Sequence, residues 1–225
     1  MKFAVLIPAL DCGRTIGSVV AGARAQVESV LVVNDGSVDA TSALARAAGA
    51  EVIDHAHCQG KGAALLSGFQ RLRQEGFDYA ITVDGDGQHL PGEIGKLLAV
   101  ARANPEAIVI GERVLEGVEV APLRLFGNRF ANRWVEIACG RQIPDTQSGF
   151  RGYPLSRTLA LGVRSRRFSF ETEVLIRAAR AGLDILSLPV AVYYPPAAER
   201  ISHYRPFVDT LRIIGVVVGL ILRLW

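Results

Sequence analysis

At 225 residues, with half of them hydrophobic and 21% charged, the chain is long and apolar enough to bury a large core, which excludes a disordered chain. The net charge of +3 divides unevenly: residues 1–100 carry 8 Lys/Arg against 11 Asp/Glu, whereas residues 101–225 carry 17 against 11. An acidic half suits a metal ion and a basic half suits phosphates or an anionic membrane surface. Cys12, Cys58 and Cys139 are widely spaced with no C-x-x-C, which excludes a disulfide scaffold and a cysteine zinc site and suits a reducing compartment.

Met1–Leu10 carries one Lys and an apolar run ending at Pro8, and reads as a first buried strand rather than a signal peptide. Phe3–Ile7, Ser29–Val33, Glu51–Ile53, Tyr79–Val83 and Ala107–Ile110 predict short buried strands. Thr15–Ala25, Ala40–Ala48, Gly62–Gln74 and Gly92–Ala103 predict the helices between them. This alternation implies a doubly wound, mostly parallel α/β sheet, in which ligands sit beyond the carboxyl ends of the strands. Further along, Pro122–Cys139 and Phe170–Ala181 read as helices, Asp145–Tyr153 as a polar loop or strand, and Ile185–Tyr194 as strand-like. Pro206–Trp225 is a terminal helix whose ten-residue apolar run, Ile213–Leu222, lies between Arg212 and Arg223. A span needs about 20 apolar residues, so this run predicts an interfacial or packed helix instead.

The residues after the strands carry the chemistry. Asn34-Asp35-Gly36-Ser37 follows the second strand, where a carboxylate can accept from a nucleobase N–H, and Asp39 reads as a helix N-cap. Asp84-Gly85-Asp86-Gly87-Gln88-His89 follows the fourth. Two carboxylates two residues apart suit a hard divalent cation that shares its shell with substrate phosphates. The later acidic ligands of a calcium-binding helix–loop–helix are missing. His55-Ala56-His57-Cys58 lacks a fourth ligand nearby for a metal cluster. There is no G-x-x-x-x-G-K-[ST], no G-x-G-x-x-G after the first strand, no G-x-S-x-G and no H-E-x-x-H, which argues against a P-loop phosphotransferase, a dinucleotide dehydrogenase, a common hydrolase and a zinc protease. A nucleotidyltransferase would need a Gly-rich opening loop with Arg after the first strand, and that loop is missing too.

Taken in order, these segments resemble the family 2 glycosyltransferases of the GT-A fold, and most closely their polyprenyl-phosphate (dolichyl-phosphate mannose or glucose) synthase-like branch. Pro8-Ala9-Leu10-Asp11-Cys12 stands where the family has Pro-x-x-Asn-Glu, and Val33–Thr41 where it has V-D-D-G-S-x-D-x-T. The resemblance implies a GT-A fold, Rossmann-like with flanking helices. It implies Pro8, Ala9, Asp11, Asp35, Lys61, Asp84 and Gly85 at the nucleotide, and Asp84, Asp86 and Gln88 around Mg²⁺ or Mn²⁺. Gly60-Lys61-Gly62 resembles G-K-G, and Gly111-Glu112-Arg113 resembles G-S-R. Arg124, Asn128 and Asn132 fall at the spacing of R-x-x-x-S-x-x-x-N. Asp145–Arg151 looks like D-x-x-S-G-F-R, Phe168–Glu173 like F-x-F-E-x-E, and Arg200–His203 like R-x-x-S-K/H. By that likeness Arg113, Arg124, Asn128, Ser148, Arg151, Arg200 and His203 face acceptor and phosphates, and Asp84, Asp86, Arg113, Arg124 and Asp145 carry catalysis.

The expected activity is metal-dependent transfer, with inversion, of a sugar from a nucleotide-sugar to a lipid-linked, polyprenyl-type phosphate. Transfer to a hydroxyl, with Asp145 as base, is the alternative, and a non-catalytic nucleotide-binding relative is a second. The expected layout is one domain over 1–205, its nucleotide half 1–111 and its acceptor half 112–205, followed by the terminal helix 206–225. No nucleic-acid partner is expected. Arg164-Ser165-Arg166-Arg167-Phe168 and the terminal helix together suggest a peripheral enzyme on the inner face of the cytoplasmic membrane.

Overall fold

The computed structural model describes residues 1–114, 132–194 and 206–222. β1 (Phe3–Ala9), α1 (Ile16–Arg24), β2 (Val30–Asn34), α2 (Thr41–Ala47), β3 (Glu51–Asp54), α3 (Lys61–Gln74) and β4 (Tyr79–Thr82) alternate as the periodicity predicts. A short 3₁₀ turn (Pro91–Glu93) leads into α4 (Ile94–Ala103) and β5 (Ile108–Arg113). Then come α5 (132–139), β6 (Arg151–Pro154), α6 (Leu155–Ala160), α7 (Phe170–Arg180), β7 (Ile185–Val190) and α8 (Pro206–Ile221). The short helix α6 has no counterpart in the sequence reading.

The strands form one sheet in the order β3-β2-β1-β4-β6-β5-β7. β1 runs parallel to β2 and β4, with Ile7 opposite Val32 and Leu6 opposite Thr82. β6 is antiparallel to both β4 and β5, while β5 and β7 are parallel. The mostly parallel sheet therefore contains one reversed strand. That reversal matters for function, because the loop entering β6 reaches the same sheet edge as the carboxyl ends of β1, β2, β4 and β5.

Side chains alternate between the two faces with period two, and both faces are covered. Ala4, Leu6, Leu31 and Val33 pack under α3 and α7 with Phe69, Phe170 and Val174; Val5, Ile7 and Val32 pack under α1 and α4 with Ile16, Val20, Ile94 and Leu97. The terminal helix forms as expected, although α8 is not a free interfacial helix. Ile213, Val216, Val217 and Leu220 join the first core, and Arg180 Nη1 on α7 donates to the Leu220 carbonyl at 2.9 Å. Its outward face carries Gly215, Val218, Ile221 and Leu222. Among the described residues no helix is long and apolar enough to cross a membrane.

Candidate active site

Asp35 follows β2 and is almost wholly buried. Its carboxylate accepts from the backbone N–H of Gln59 (2.9 Å) and Gly60 (2.7 Å), from Cys58 Sγ (3.3 Å), and lies 2.8 Å from His55 Nδ1. Burial alone would raise this carboxyl; the N–H groups of Gln59 and Gly60 and the His55 ring outweigh it and hold the group below the ordinary range. Asp35, expected at a nucleobase, clamps the segment that enters α3. Gly36 completes the clamp: its φ is 78°, and a Cβ there would come within 2.6 Å of the His57–Cys58 backbone. Asp35→Asn turns an all-acceptor group into one with an NH₂ facing these donors. We expect it to destabilise the protein by about 2–3 kcal/mol in urea melts near neutral pH. The stabilisation from Asp35 is fully present above about pH 4, where an unfolded Asp is ionised, and is lost as pH falls through the lower folded value. The gap between wild type and Asp35→Asn should therefore narrow in acid.

Asp11, at φ 47°, accepts from Val38 N–H at 2.9 Å, while its own N–H donates to Ser37 Oγ at 2.9 Å. It braces the turn after β2. Asp39 sits one residue ahead of the N-cap, Ala40, so the expected cap is displaced. Its carboxylate accepts from the Thr41 N–H and hydroxyl and from Gly13 N–H, tying the start of α2 to the β1–α1 loop. Cys12, in the position of the family's Glu, is buried. Burial, together with Asp86 and Asp84 nearby, pushes its thiol up to about 12, leaving it protonated and unreactive. Pro8 and Ala9 end β1, and the Ala9 carbonyl accepts from Asp35 N–H at 2.8 Å.

Beyond β4, Asp84 Oδ1 lies 2.5 Å from Lys61 Nζ, and the same ammonium lies 2.8 Å from Glu171 Oε1 at the start of α7. Burial would lower the Lys61 ammonium, but the two carboxylates override it and hold it above its ordinary value. Burial would raise Asp84, but Lys61, with His89 and Arg113, holds it low. One ammonium thus faces two carboxylates. Gly149 lies against this pair: a Cβ there would be 2.5 Å from both Asp84 Oδ2 and Lys61 Nζ. Gly85 packs beside Cys12 and Ala9, and its carbonyl accepts from Thr15 Oγ1 at 2.6 Å. Asp86 accepts from Gln88 N–H at 3.0 Å, and the Gln88 carbonyl accepts from Tyr193 N–H at 2.8 Å, which fastens the loop to the end of β7.

Arg113 at the end of β5 grips Asp145 in a fork, Nε to Oδ2 at 2.8 Å and Nη2 to Oδ1 at 2.6 Å. Its backbone N–H also donates to Oδ2 at 3.0 Å. Burial opposes ionisation of Asp145, yet Arg113 holds its carboxyl below the usual range. Asp145 adopts φ 48°, a left-handed conformation that Asp tolerates better than most residues. Asn132 Oδ1 accepts from Thr146 N–H (3.1 Å) and Oγ1 (2.6 Å), anchoring this loop to α5.

Two expected phosphate ligands lie elsewhere in their environment. Arg151 is completely buried, and its guanidinium donates to the carbonyls of Ser148 (2.7 Å), Thr146 (2.7 Å) and Glu171 (2.8 Å). It builds the loop rather than presenting charge to the cleft. Ser148 is also fully buried, its Oγ accepting from Phe150 N–H. Arg124, Asn128, Arg200 and His203 lie outside the described residues.

Two residues gain roles that the sequence motifs did not give them. Glu171 is the second partner of Lys61; its motif, F-x-F-E-x-E, was the available signal. His89 is buried, stacks on Phe150 at 5.3 Å, and has Nδ1 3.7 Å from Asp84 Oδ2 with no hydrogen-bond partner among the described residues. Burial pushes it down to about 4 against the pull of Asp84, so the ring is neutral near pH 7. It lies within electrostatic reach of Lys61, Arg113 and Asp145 as well, so the charges beyond β4 and those at the end of β5 converge on one place.

A doubly wound sheet with one reversed strand, carboxylates after β4 and a cation-gripped loop before β6 is the architecture of a GT-A-like glycosyltransferase. The sequence profile of Glycosyl transferase family 2 matches residues 4–157, and the chain belongs to that family of enzymes. It is 31% identical to the polyprenol monophosphomannose synthase of Mycolicibacterium smegmatis over 72% of this chain and 65% of that one, so it spans just under two thirds of that relative. It is 26% identical to the UDP-N-acetylglucosamine–dolichyl-phosphate N-acetylglucosaminyltransferase of Methanococcus voltae, over 84% of this chain and 85% of the other. Among solved structures, glucosyl-3-phosphoglycerate synthase from Mycobacterium tuberculosis, in complex with Mn²⁺, UDP-glucose and phosphoglyceric acid, superposes with a TM-score of 0.74 over 97% of this chain and 79% of its own. At 20% identity that likeness speaks for the fold.

Proposed function

We propose that this enzyme transfers a sugar, with inversion, from a nucleotide-sugar to the phosphate of a polyprenyl-type lipid, at the inner surface of the cytoplasmic membrane. In this reading residues 1–111 take the donor and 112–205 the acceptor. The observation that carries it is the state of Asp145. A hydroxyl acceptor must lose a proton to a base, and a carboxylate forked by Arg113 and held below its usual range is a poor one. A phosphate acceptor is already ionised near neutral pH and needs only to be oriented, which a rigid guanidinium does well. The names of the mycobacterial and archaeal relatives, which act on polyprenol- and dolichyl-linked phosphates, support the same acceptor class.

The donor set fits a hard divalent cation. Asp84 and Asp86 both lie near enough to the Cys12 thiol to raise it, which puts the two carboxylates at one end of the sheet. Among the described residues no three His, Cys, Asp or Glu side chains converge. Mg²⁺ characteristically takes one or two carboxylates and completes its shell with substrate phosphates and water, so Asp84 and Asp86, with Gln88, would hold Mg²⁺ or Mn²⁺ in company with the donor diphosphate. Bound there, the cation would neutralise charge on the departing diphosphate. Lys61 holds Asp84 in place, and Arg113 orients the attacking oxygen.

The test is transfer of labelled sugar from UDP- and GDP-sugars to polyprenyl phosphate and, in parallel, to the unphosphorylated polyprenol. Label is expected on the phosphate alone; comparable transfer to polyprenol would overturn the reading. Asp145→Asn sharpens it. As a positioning residue for Arg113, its loss should lower kcat/KM about tenfold, equivalent to about 1.4 kcal/mol. The acid limb of the pH profile, set by the second ionisation of the acceptor near pH 6, should stay in place. A base would give a loss of about 100- to 10,000-fold and its removal would abolish that limb.

A further inference from the structure

A second cleft opens between the segment 164–169 and α8. It has a volume of about 490 Å³ and is lined by residues 164–167 and Ser169 and, from α8, by Arg212, Gly215 and Val216, with no lining residue in common with the Lys61–Asp84–Arg113–Asp145 site. Three of the lining arginines, Arg164, Arg166 and Arg167, are exposed, and their like charges repel one another unless an anion joins them. Among the described residues no carboxylate lies within ion-pair distance of Arg164, Arg166 or Arg167. The nearby Glu173 carboxylate is already committed to the Arg164 and Ser165 N–H groups, at 3.1 and 2.8 Å, and to Arg177 Nε at 2.6 Å.

Ser165 supplies an independent sign of a missing ligand. Its side chain is buried, it lines the cleft, and its Oγ has no hydrogen-bond partner among the described residues. Buried hydroxyls are nearly always partnered, so this one points to an acceptor not yet in place. The segment carrying it is held to α3, because Ala63 N–H donates to the Arg166 carbonyl at 2.9 Å. The arginines therefore project from a fixed backbone.

We propose that this cleft binds the phosphate headgroup of an anionic membrane lipid. Charge and hydroxyl together define a phosphoryl anion, and the surroundings select a lipid. From Arg212 the outward face of α8 continues through Gly215, Val218, Ile221 and Leu222, spaced at successive helical turns. Val218, Ile221 and Leu222 are 40%, 38% and 60% exposed. A headgroup between Arg166 and Arg212 would lay its acyl chains along that apolar face, an arrangement of basic rim and apolar strip suited to an anionic bilayer. The proposal rests on the reading that the enzyme meets its acceptor at a membrane, and it adds a lipid site separate from the acceptor's.

The test is flotation of the full chain with vesicles of phosphatidylcholine, alone or doped with phosphatidylglycerol, neither containing polyprenyl phosphate. Binding is expected only to the doped vesicles. The double variant Arg166→Gln/Arg212→Gln should weaken it about 30-fold, on the basis of about 1 kcal/mol per basic residue near the surface. Arg102→Gln/Arg157→Gln removes the same charge elsewhere and should leave binding within about twofold, while the uncharged change Ser165→Ala should weaken it several-fold. Thermal melts of each variant confirm that it folds. Equal losses in the two double variants would reduce the effect to diffuse charge and overturn the site, as would absence of flotation. Complete displacement by inorganic phosphate would identify a soluble-phosphate site and overturn the lipid assignment. Transfer to polyprenyl phosphate in detergent is scored separately, so failure of the acceptor reading leaves the flotation result standing.

Discussion

Lys61→Met is expected to destabilise the protein by about 3–5 kcal/mol, more than any other single change at the site, because it leaves two carboxylates facing each other without their cation. The methionine retains most of the aliphatic stem, so lost packing is a small part of the effect. What is lost is the ammonium that lies 2.5 Å from Asp84 and 2.8 Å from Glu171. Both carboxylates lie in a poorly solvated pocket, with side chains 24% and 6% exposed, so their repulsion is weakly screened. Three measurements check the account. Urea melts near pH 7 should show the full loss. At lower pH the loss should shrink, since protonating either carboxylate relieves the repulsion. Added Mn²⁺ should recover part of the stability in the variant, and more of it than in wild type, because a divalent cation substitutes for the missing charge. The double change Lys61→Met/Glu171→Gln should be more stable than Lys61→Met alone. If the single variant melts within about 1 kcal/mol of wild type, the pair is not the electrostatic centre of the site.

The same cluster shows what a sequence discloses and what it conceals. β1, β2 and β4 were legible within a residue or two because each is a run of apolar residues buried on both faces, a pattern that no surface segment imitates. The position of Asp84 and Asp86 just beyond β4 was legible because the strand before them was, and that is the end of a parallel sheet at which ligands are sought. β6 was not legible as the reversed strand it is. Its four residues, Arg-Gly-Tyr-Pro, show no apolar run, and their neighbours on β4 and β5 come from distant parts of the chain. The surroundings of Arg151 were not legible for a related reason. Arginine in a polar loop usually reaches solvent or a ligand, yet here the loop wraps its carbonyls around the guanidinium and the charge becomes a structural peg. Glu171 met Lys61 only through the packing of α7 on α3, a contact across 110 positions that local spacing does not encode. Asp39 lay one residue from its expected cap, within the uncertainty of any helix boundary.

Gly149→Ala is expected to lower kcat/KM about 100-fold while moving the melting temperature by only a few degrees, the reverse of the balance at Lys61. The backbone at Gly149 is not in the left-handed region, so alanine fits its conformation. The obstacle is space, because the added Cβ would stand 2.5 Å from both Asp84 Oδ2 and Lys61 Nζ. Backbone cannot yield there easily, since the Gly149 carbonyl accepts from Thr82 Oγ1 at 2.7 Å and Arg151 holds the adjoining residues. The side chains yield instead: Asp84 and Lys61 swing apart, and the carboxylate leaves the position in which it would share a cation with Asp86. A displacement of about 1 Å at such a group is enough for a 100-fold effect. Because Lys61 keeps Glu171 as a partner, the fold loses little. Activity titrated against Mn²⁺ separates the causes. A higher metal requirement with partial recovery at saturation places the damage in the carboxylate pair, whereas an unchanged requirement with a lower plateau places it in the loop that carries Gly149. Wild-type activity in the variant would show that the contact between Gly149 and the ion pair has no part in the reaction.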